Sequence, residues 1–151
     1  MKYSEQLSEK LNDLLTRTYD AEKGFKLAQD KVENPSIKKF LADKVQQRYH
    51  FGHELKTEIT SFGQLPGKGG SLKGDIHRTW MNLSEALTTN GTERILEEVE
   101  RGEKASLETY DTILEDENIT LPPSTESLLI KQRNAIQAAI ETNNMYEEKV
   151  S

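Results

Sequence analysis

Apolar side chains recur every three or four residues along most of the chain, which is the spacing of α-helices with one buried face. Proline, glycine and asparagine residues interrupt this pattern and separate five helical segments. The pattern predicts helices over residues 4–31, 34–62, 74–88, 93–115 and 125–147. The third helix, which contains Trp80, is about half as long as the others.

The connections between these segments predict how the helices are arranged. A tight turn at Pro35 joins the first two long helices and a short proline-containing loop joins the last two, so each pair should form an antiparallel hairpin. A flexible linker over residues 63–73 and the short helix 74–88 connect the two hairpins. One long crossover between two helical hairpins is typical of ferritin-like bundles.

We therefore predict a single all-α domain over residues 1–151, with the architecture of a ferritin-like four-helix bundle. Two antiparallel helical hairpins would form the bundle, and the short helix 74–88 would be the crossover helix. A bundle of five equal helices is the alternative. It fits less well because the third helix is too short.

A charged residue interrupts the apolar face of the second helix. At about 100° per residue, Arg48 lies within roughly 20° of the midline of this face. An unpaired buried guanidinium is very costly, so Arg48 must meet carboxylates or reach water. The apolar residues that define the face are Ile37, Leu41, Val45, Leu55, Ile59 and Phe62.

The other long helices carry polar residues at related positions. Glu22, Glu103 and Gln132 lie on or beside apolar faces, partway along their helices. Together with Arg48 they predict a polar layer across the waist of the bundle. Arg48 can donate forked hydrogen bonds to both glutamates, and Gln132 can complete the layer. Such a layer either fixes the helix register or is the remnant of a pocket, and the sequence leaves both interpretations open.

Three stretches of the sequence carry a resemblance to a known family: residues 77–83 (HRTWMNL), 100–103 (ERGE) and 19–25 (YDAEKGF). They resemble an uncharacterised bacterial family of ferritin-like four-helix-bundle proteins, a domain of unknown function. The likeness covers nearly the whole chain, from about Leu11 to Tyr146. It implies a fold and a bacterial origin, and it implies no activity.

A ferritin-like di-metal site can be tested residue by residue. Such a site needs a Glu from each of two helices and a Glu-x-x-His motif from each of the other two. Glu22 and Glu103 match the lone carboxylates in residue type. The two motifs are absent, because Arg48 and Phe51 occupy the positions on one helix and Gln132 and Ala135 those on the other. We therefore expect no metal ligand and no cofactor at the waist.

The histidines offer no better ligand set. His50 and His53 are predicted to face outward, where a solvated helix face is the simpler interpretation, although the pair could chelate a stray divalent ion. His77 lies in the crossover and is expected to pack or to hydrogen-bond rather than to bind a metal.

The sequence predicts structural roles for two other groups of residues. Trp80 and Met81 are expected to plug one end of the bundle, and Glu97, Glu98 and Glu100 to form a solvated acidic face. No combination of serine, histidine and acid suggests a catalytic triad, so no catalytic residue is assigned.

Composition narrows the class of protein further. The net charge of −6 gives no basic surface for nucleic acid, and the lack of cysteine removes thiolate chemistry. No apolar run approaches the roughly 20 residues that span a bilayer. The first residues lack the apolar core of a signal peptide. We expect a cytoplasmic protein without nucleic-acid or membrane partners, and a homo-oligomer or a protein partner stays open.

The function that these observations favour is that of a small soluble helical-bundle protein without enzymatic activity and with a degenerate metal site. A stress-associated structural or interaction role follows by analogy with other ferritin-like proteins. The alternative is a di-metal carboxylate oxidase, or a metal-storage protein, that binds iron or manganese through Glu22 and Glu103. Arg48 separates the two, because a fixed cation does not belong beside a di-metal centre.

Overall fold

The computed structural model describes residues 2–67, 80 and 91–151. Within these residues the chain forms four long helices and no strand: α1 (Tyr3–Lys31), α2 (Pro35–Ser61), α3 (Thr92–Leu114) and α4 (Pro123–Val150). Each end lies within three residues of its predicted position. Trp80 is helical, but the rest of the predicted crossover helix 74–88, including His77 and Met81, lies outside the described residues, as do residues 68–73 of the linker.

Local sequence explains the short turn between α1 and α2. The Asn34 side chain accepts hydrogen bonds from the backbone N–H groups of Ser36 (3.0 Å) and Ile37 (3.1 Å), which caps the start of α2. Pro35 follows at the first helical position, where its missing N–H group costs nothing. At the other end of α2, Gly63 has φ +74°, a left-handed conformation that suits glycine and ends the helix.

Contacts near the helix ends define the directions of the helices. Lys10, early in α1, forms an ion pair with Asp116 just after α3, so α1 and α3 are antiparallel. Thr125, early in α4, donates a hydrogen bond to Glu58 late in α2, so α2 and α4 are antiparallel as well. The hairpin neighbours α1–α2 and α3–α4 complete a four-membered ring, with α2 and α3 on one diagonal. Two antiparallel hairpins are therefore confirmed, and the end of α2 and the start of α3 lie at opposite ends of the bundle.

The apolar core has two parts. One lies between the start of α1 and the end of α2, and it contains Leu11, Leu55 and Ile136. The other lies between the end of α1 and the start of α2, and it contains Phe25, Leu41 and Val99. Several of the residues buried on the stretches of helix between the two parts are polar. They are Thr18, Asp20, Arg48, Glu103, Ser106 and Asn143.

Trp80 lies near the middle of the bundle, which corrects the expectation that it plugs one end. Its indole is 5% exposed and packs on Phe25, with ring centroids 5.6 Å apart. A Cβ atom added at Gly24 of α1 would lie 2.0 Å from the indole, and one added at Gly102 of α3 would lie 2.2 Å from it. The indole therefore fills a space that two glycines leave open, and it joins the connection to both hairpins.

Gly102→Ala should destabilise the protein by about 1–3 kcal/mol, because the new methyl group overlaps an indole that Gly24 confines on its other side. In a Trp80→Leu background the same substitution should cost much less, because a smaller side chain leaves room for the methyl group. Urea denaturation followed by circular dichroism measures both costs.

Gly52→Ala is the matched control, because a Cβ atom there meets Leu15 and Tyr19 at an ordinary 3.8 Å. It should be neutral or stabilising by up to about 1 kcal/mol, since alanine is the better helix former. Equal costs of Gly102→Ala with and without Trp80 would contradict this account of the packing.

Candidate functional site: the polar layer between the helices

Arg48 and Glu103 form a buried ion pair at the centre of the bundle. The Arg48 Nη2 atom donates to Glu103 Oε2 at 2.7 Å, and Nη1 donates to Oε1, so both carboxylate oxygens are engaged in a forked arrangement. Arg48 is 1% exposed and Glu103 is fully buried. Because α2 and α3 lie on one diagonal, the pair joins the two hairpins through the core.

Aromatic rings surround the guanidinium group. The Arg48 Cζ atom lies 5.1 Å from the Phe25 ring centroid and 5.7 Å from that of Phe51. Arg48 Nε also donates to the Gln47 side chain at 3.2 Å. The cation is thus desolvated and compensated by one carboxylate, one amide oxygen and two ring faces.

The positive charge of Arg48 also affects Lys44, which lies one turn earlier on α2. Burial lowers the pKa of Lys44, and the positive charge of Arg48 lowers it further, while Glu103 and Asp43 act in the opposite direction. The protonated form of Lys44 is therefore disfavoured, chiefly by burial and in part by the charge of Arg48.

Tyr110 and Gln132 form a second polar group, separate from Arg48. The buried Tyr110 hydroxyl donates to Gln132 Oε1 at 2.6 Å, and Gln132 Nε2 donates to the Phe51 carbonyl (3.3 Å) and to Glu54 Oε1 (3.2 Å). Burial raises the pKa of Tyr110 strongly, so the phenol stays protonated and acts as a donor. The group joins α3, α4 and α2, with every polar atom of Gln132 in use.

The four residues of the predicted layer lie in three places. Arg48 and Glu103 meet, whereas Gln132 bonds to Tyr110 instead. Glu22 is half buried at the surface between α1 and α2, and it forms no hydrogen bond or ion pair with another residue of the described ranges. Arg48 therefore has one glutamate partner there.

The histidines that the structure describes stay away from the core. His50 and His53 are both exposed, and the Tyr49 ring packs edge-on against each. Across the described parts of the chain, no group of three or more histidine, aspartate and glutamate side chains is arranged to hold a metal ion.

Part of the buried polar set was not predicted from the sequence. Neither Tyr110 nor Asn143, which donates to the Leu96 carbonyl at 2.8 Å, was assigned a polar role. The helical position of Asn143 among inward residues of α4 was the available signal. The expectation of a solvated face at Glu98 was wrong: Glu98 is 2% exposed and forms ion pairs with Arg94 and Arg101.

Glu100 and Glu147 form a second titratable cluster between α3 and α4. Partial burial, then a hydrogen bond to Glu100 and its charge, raise the pKa of Glu147 to about 7. Burial alone would raise the pKa of Glu100 too, but hydrogen bonds from Lys104, whose Nζ lies 2.6 Å away, and from Glu147 lower it. The neutral form of Glu147 is therefore favoured beside an ionised Glu100.

Arg48→Met should lower the free energy of unfolding by about 3–5 kcal/mol, because it leaves the Glu103 carboxylate buried and unpaired. Adding Glu103→Met should recover most of this loss, since the double variant replaces the pair with apolar side chains of similar size. Chemical denaturation monitored by circular dichroism measures both. A loss below about 0.5 kcal/mol for Arg48→Met, typical of surface residues, would contradict a buried pair.

Glu147→Gln should make the protein more stable than the parent at neutral and higher pH. The folded pKa of about 7 exceeds the ordinary 4.5, so the contribution of Glu147 is fully present below about pH 4.5 and is lost as the pH rises through 7. Glutamine does not titrate, so the variant loses no stability in this range. The difference in free energy of unfolding between variant and parent should therefore grow from pH 4.5 to 7 and then stay constant. We expect it to stay below about 1 kcal/mol, because the pair is partly solvated.

Thermal unfolding at pH 5 and pH 8 measures this difference. The control is Glu148→Gln, an identical charge change at the neighbouring exposed position. A gain in stability from Glu147→Gln that is the same at both pH values, or that Glu148→Gln reproduces, would contradict the raised pKa of Glu147.

None of the helices within the described residues is long and apolar enough to cross a membrane. No curated protein matches the chain significantly. A crystal structure of a conserved hypothetical protein, rv2844, from Mycobacterium tuberculosis has a similar fold: the TM-score is 0.73 at 10% identity, and the match covers 97% of this chain and 98% of that one. At this identity the likeness concerns the fold alone. Residues 6–116 match a protein family described as a domain of unknown function, DUF2383. The chain belongs to this family.

Proposed function

We propose that this chain is a non-enzymatic, ferritin-like four-helix-bundle protein in which an ion pair has replaced a metal site. The helix directions support the ferritin-like part, because α2 and α3 run parallel and the chain between them joins opposite ends of the bundle. The observation that carries the proposal is the forked Arg48–Glu103 pair at the height where such bundles place their metal ions.

The residues at this height do not fit a di-metal centre. Glu103 has the right residue type, but both of its oxygens accept from Arg48. Phe51 and Ala135 stand where a Glu-x-x-His motif would supply histidines, and neither can bind a metal. A metal ion there would also lie beside a fixed guanidinium charge, which opposes its binding.

A bundle stabilised in this way is suited to a structural or interaction role. The ion pair and the Tyr110–Gln132 group fix the relative height of the helices, so the outer surfaces are presented in a defined arrangement. Association with a stress response is an inference from fold analogy with other ferritin-like proteins.

Anaerobic loading with ferrous iron, followed by desalting and elemental analysis, should leave less than about 0.1 ion per chain, because each site of this kind needs several free ligands. His50→Ala/His53→Ala is the matched control for surface chelation, since it removes the exposed histidine pair. Two ions per chain that persist in this control would overturn the proposal and favour a di-metal oxidase or storage protein.

A further inference from the structure

A groove of about 290 Å³ lies between α1 and α2, on the surface outside the Arg48–Glu103 pair. Tyr19 of α1 and Tyr49 of α2 line it, and Gly52 is part of its floor. Tyr19 is half buried, whereas Tyr49 is 48% exposed and packs edge-on against His53, with ring centroids 4.6 Å apart. The groove thus offers two aromatic side chains on neighbouring helices, with no side chain between them at Gly52.

The size and lining of the groove favour a small aromatic ligand. Ligand pockets commonly hold roughly 300–1,000 Å³, so this groove is at the lower limit and suits a molecule with a single ring. Aromatic rings attract one another in offset and edge-to-face arrangements, and the two tyrosines can offer either.

The rim of the groove carries a local excess of positive charge. Lys23 and Lys56 line it together with His53, and Glu22 is the one acidic residue there. The Lys56 ammonium lies 5.3 Å from the Tyr19 ring centroid, and neither lysine forms an ion pair with any residue in the described parts of the chain. Two lysines and one glutamate leave one net positive charge, in a chain whose net charge is −6. This rim complements a monoanion.

We propose that the groove binds a small organic monoanion made of one aromatic ring and one carboxylate. The ring lies against Tyr19 and Tyr49 above Gly52, and the carboxylate lies between the ammonium groups of Lys23 and Lys56. This site is independent of the proposed structural role of the bundle, because no residue of the Arg48–Glu103 pair lines the groove.

Benzoate is the probe for this site. Two relatives, one neutral and one non-aromatic, test the contributions of the carboxylate and of the ring. Benzamide keeps the ring but lacks the charge, and cyclohexanecarboxylate keeps the charge but lacks the aromatic ring. Titrations of the full chain followed by amide NMR shifts should show saturable changes at Gly52 and His53 with benzoate, with a Kd of about 1 mM or tighter. Both relatives should bind at least about threefold more weakly, because each lacks one attraction.

Two variants locate the binding site. Gly52→Leu places a side chain in the groove and should abolish the benzoate shifts, and Lys23→Gln/Lys56→Gln, which changes only rim residues, should weaken binding by about two- to fivefold per lysine. Lys104→Gln on α3 is the matched control and should leave the affinity unchanged, because Lys104 pairs with Glu100 away from the groove.

Three results of these titrations would contradict the proposed site. Shifts that do not saturate, or that are the same in the double lysine variant, would overturn the proposal. Benzamide binding equal to that of benzoate would also overturn it, since the groove would then be apolar without selecting an anion.

Discussion

The Arg48–Glu103 ion pair is the constraint on which the rest of the bundle depends. It joins diagonal helices, so it can form only when the two hairpins meet at one relative height. The aliphatic parts of the core above and below it would tolerate sliding by a turn more easily, because aliphatic contacts have little direction. A forked pair that uses both carboxylate oxygens can form in only one register of the two hairpins. A shift of one hairpin by one turn would leave two charges buried without partners.

Much of the fold follows from the sequence because helical periodicity is local. The inward residues Ile37, Leu41, Leu55 and Ile59 were identified from spacing, and all four are buried. The partners of Arg48 were harder to identify. Spacing places Glu22 and Glu103 at similar depth, but the rotation of one helix relative to another depends on packing that no single helix encodes. That rotation turns Glu103 to the centre and leaves Glu22 at the surface.

The errors at Glu98 and Trp80 have a related cause. Glu98 has the charge of a surface residue and lies in an acidic stretch, yet Arg94 and Arg101, one turn away on either side, neutralise it as it becomes buried. Trp80 lies outside the four long helices, so no periodicity of those helices could show where it packs. The signal lay in two glycines within long helices, Gly24 and Gly102, which only a close neighbour explains.

The position of Trp80 also has an optical consequence. It is the one tryptophan of the chain, and its indole is enclosed by both hairpins and by Phe25. Its emission therefore reports on the contact between α1 and α3 rather than on helix content. Separation of the hairpins with all helices intact would shift the emission to longer wavelength, while the far-ultraviolet signal stayed the same. The chain thus carries its own probe for the step that joins two helical hairpins into one bundle.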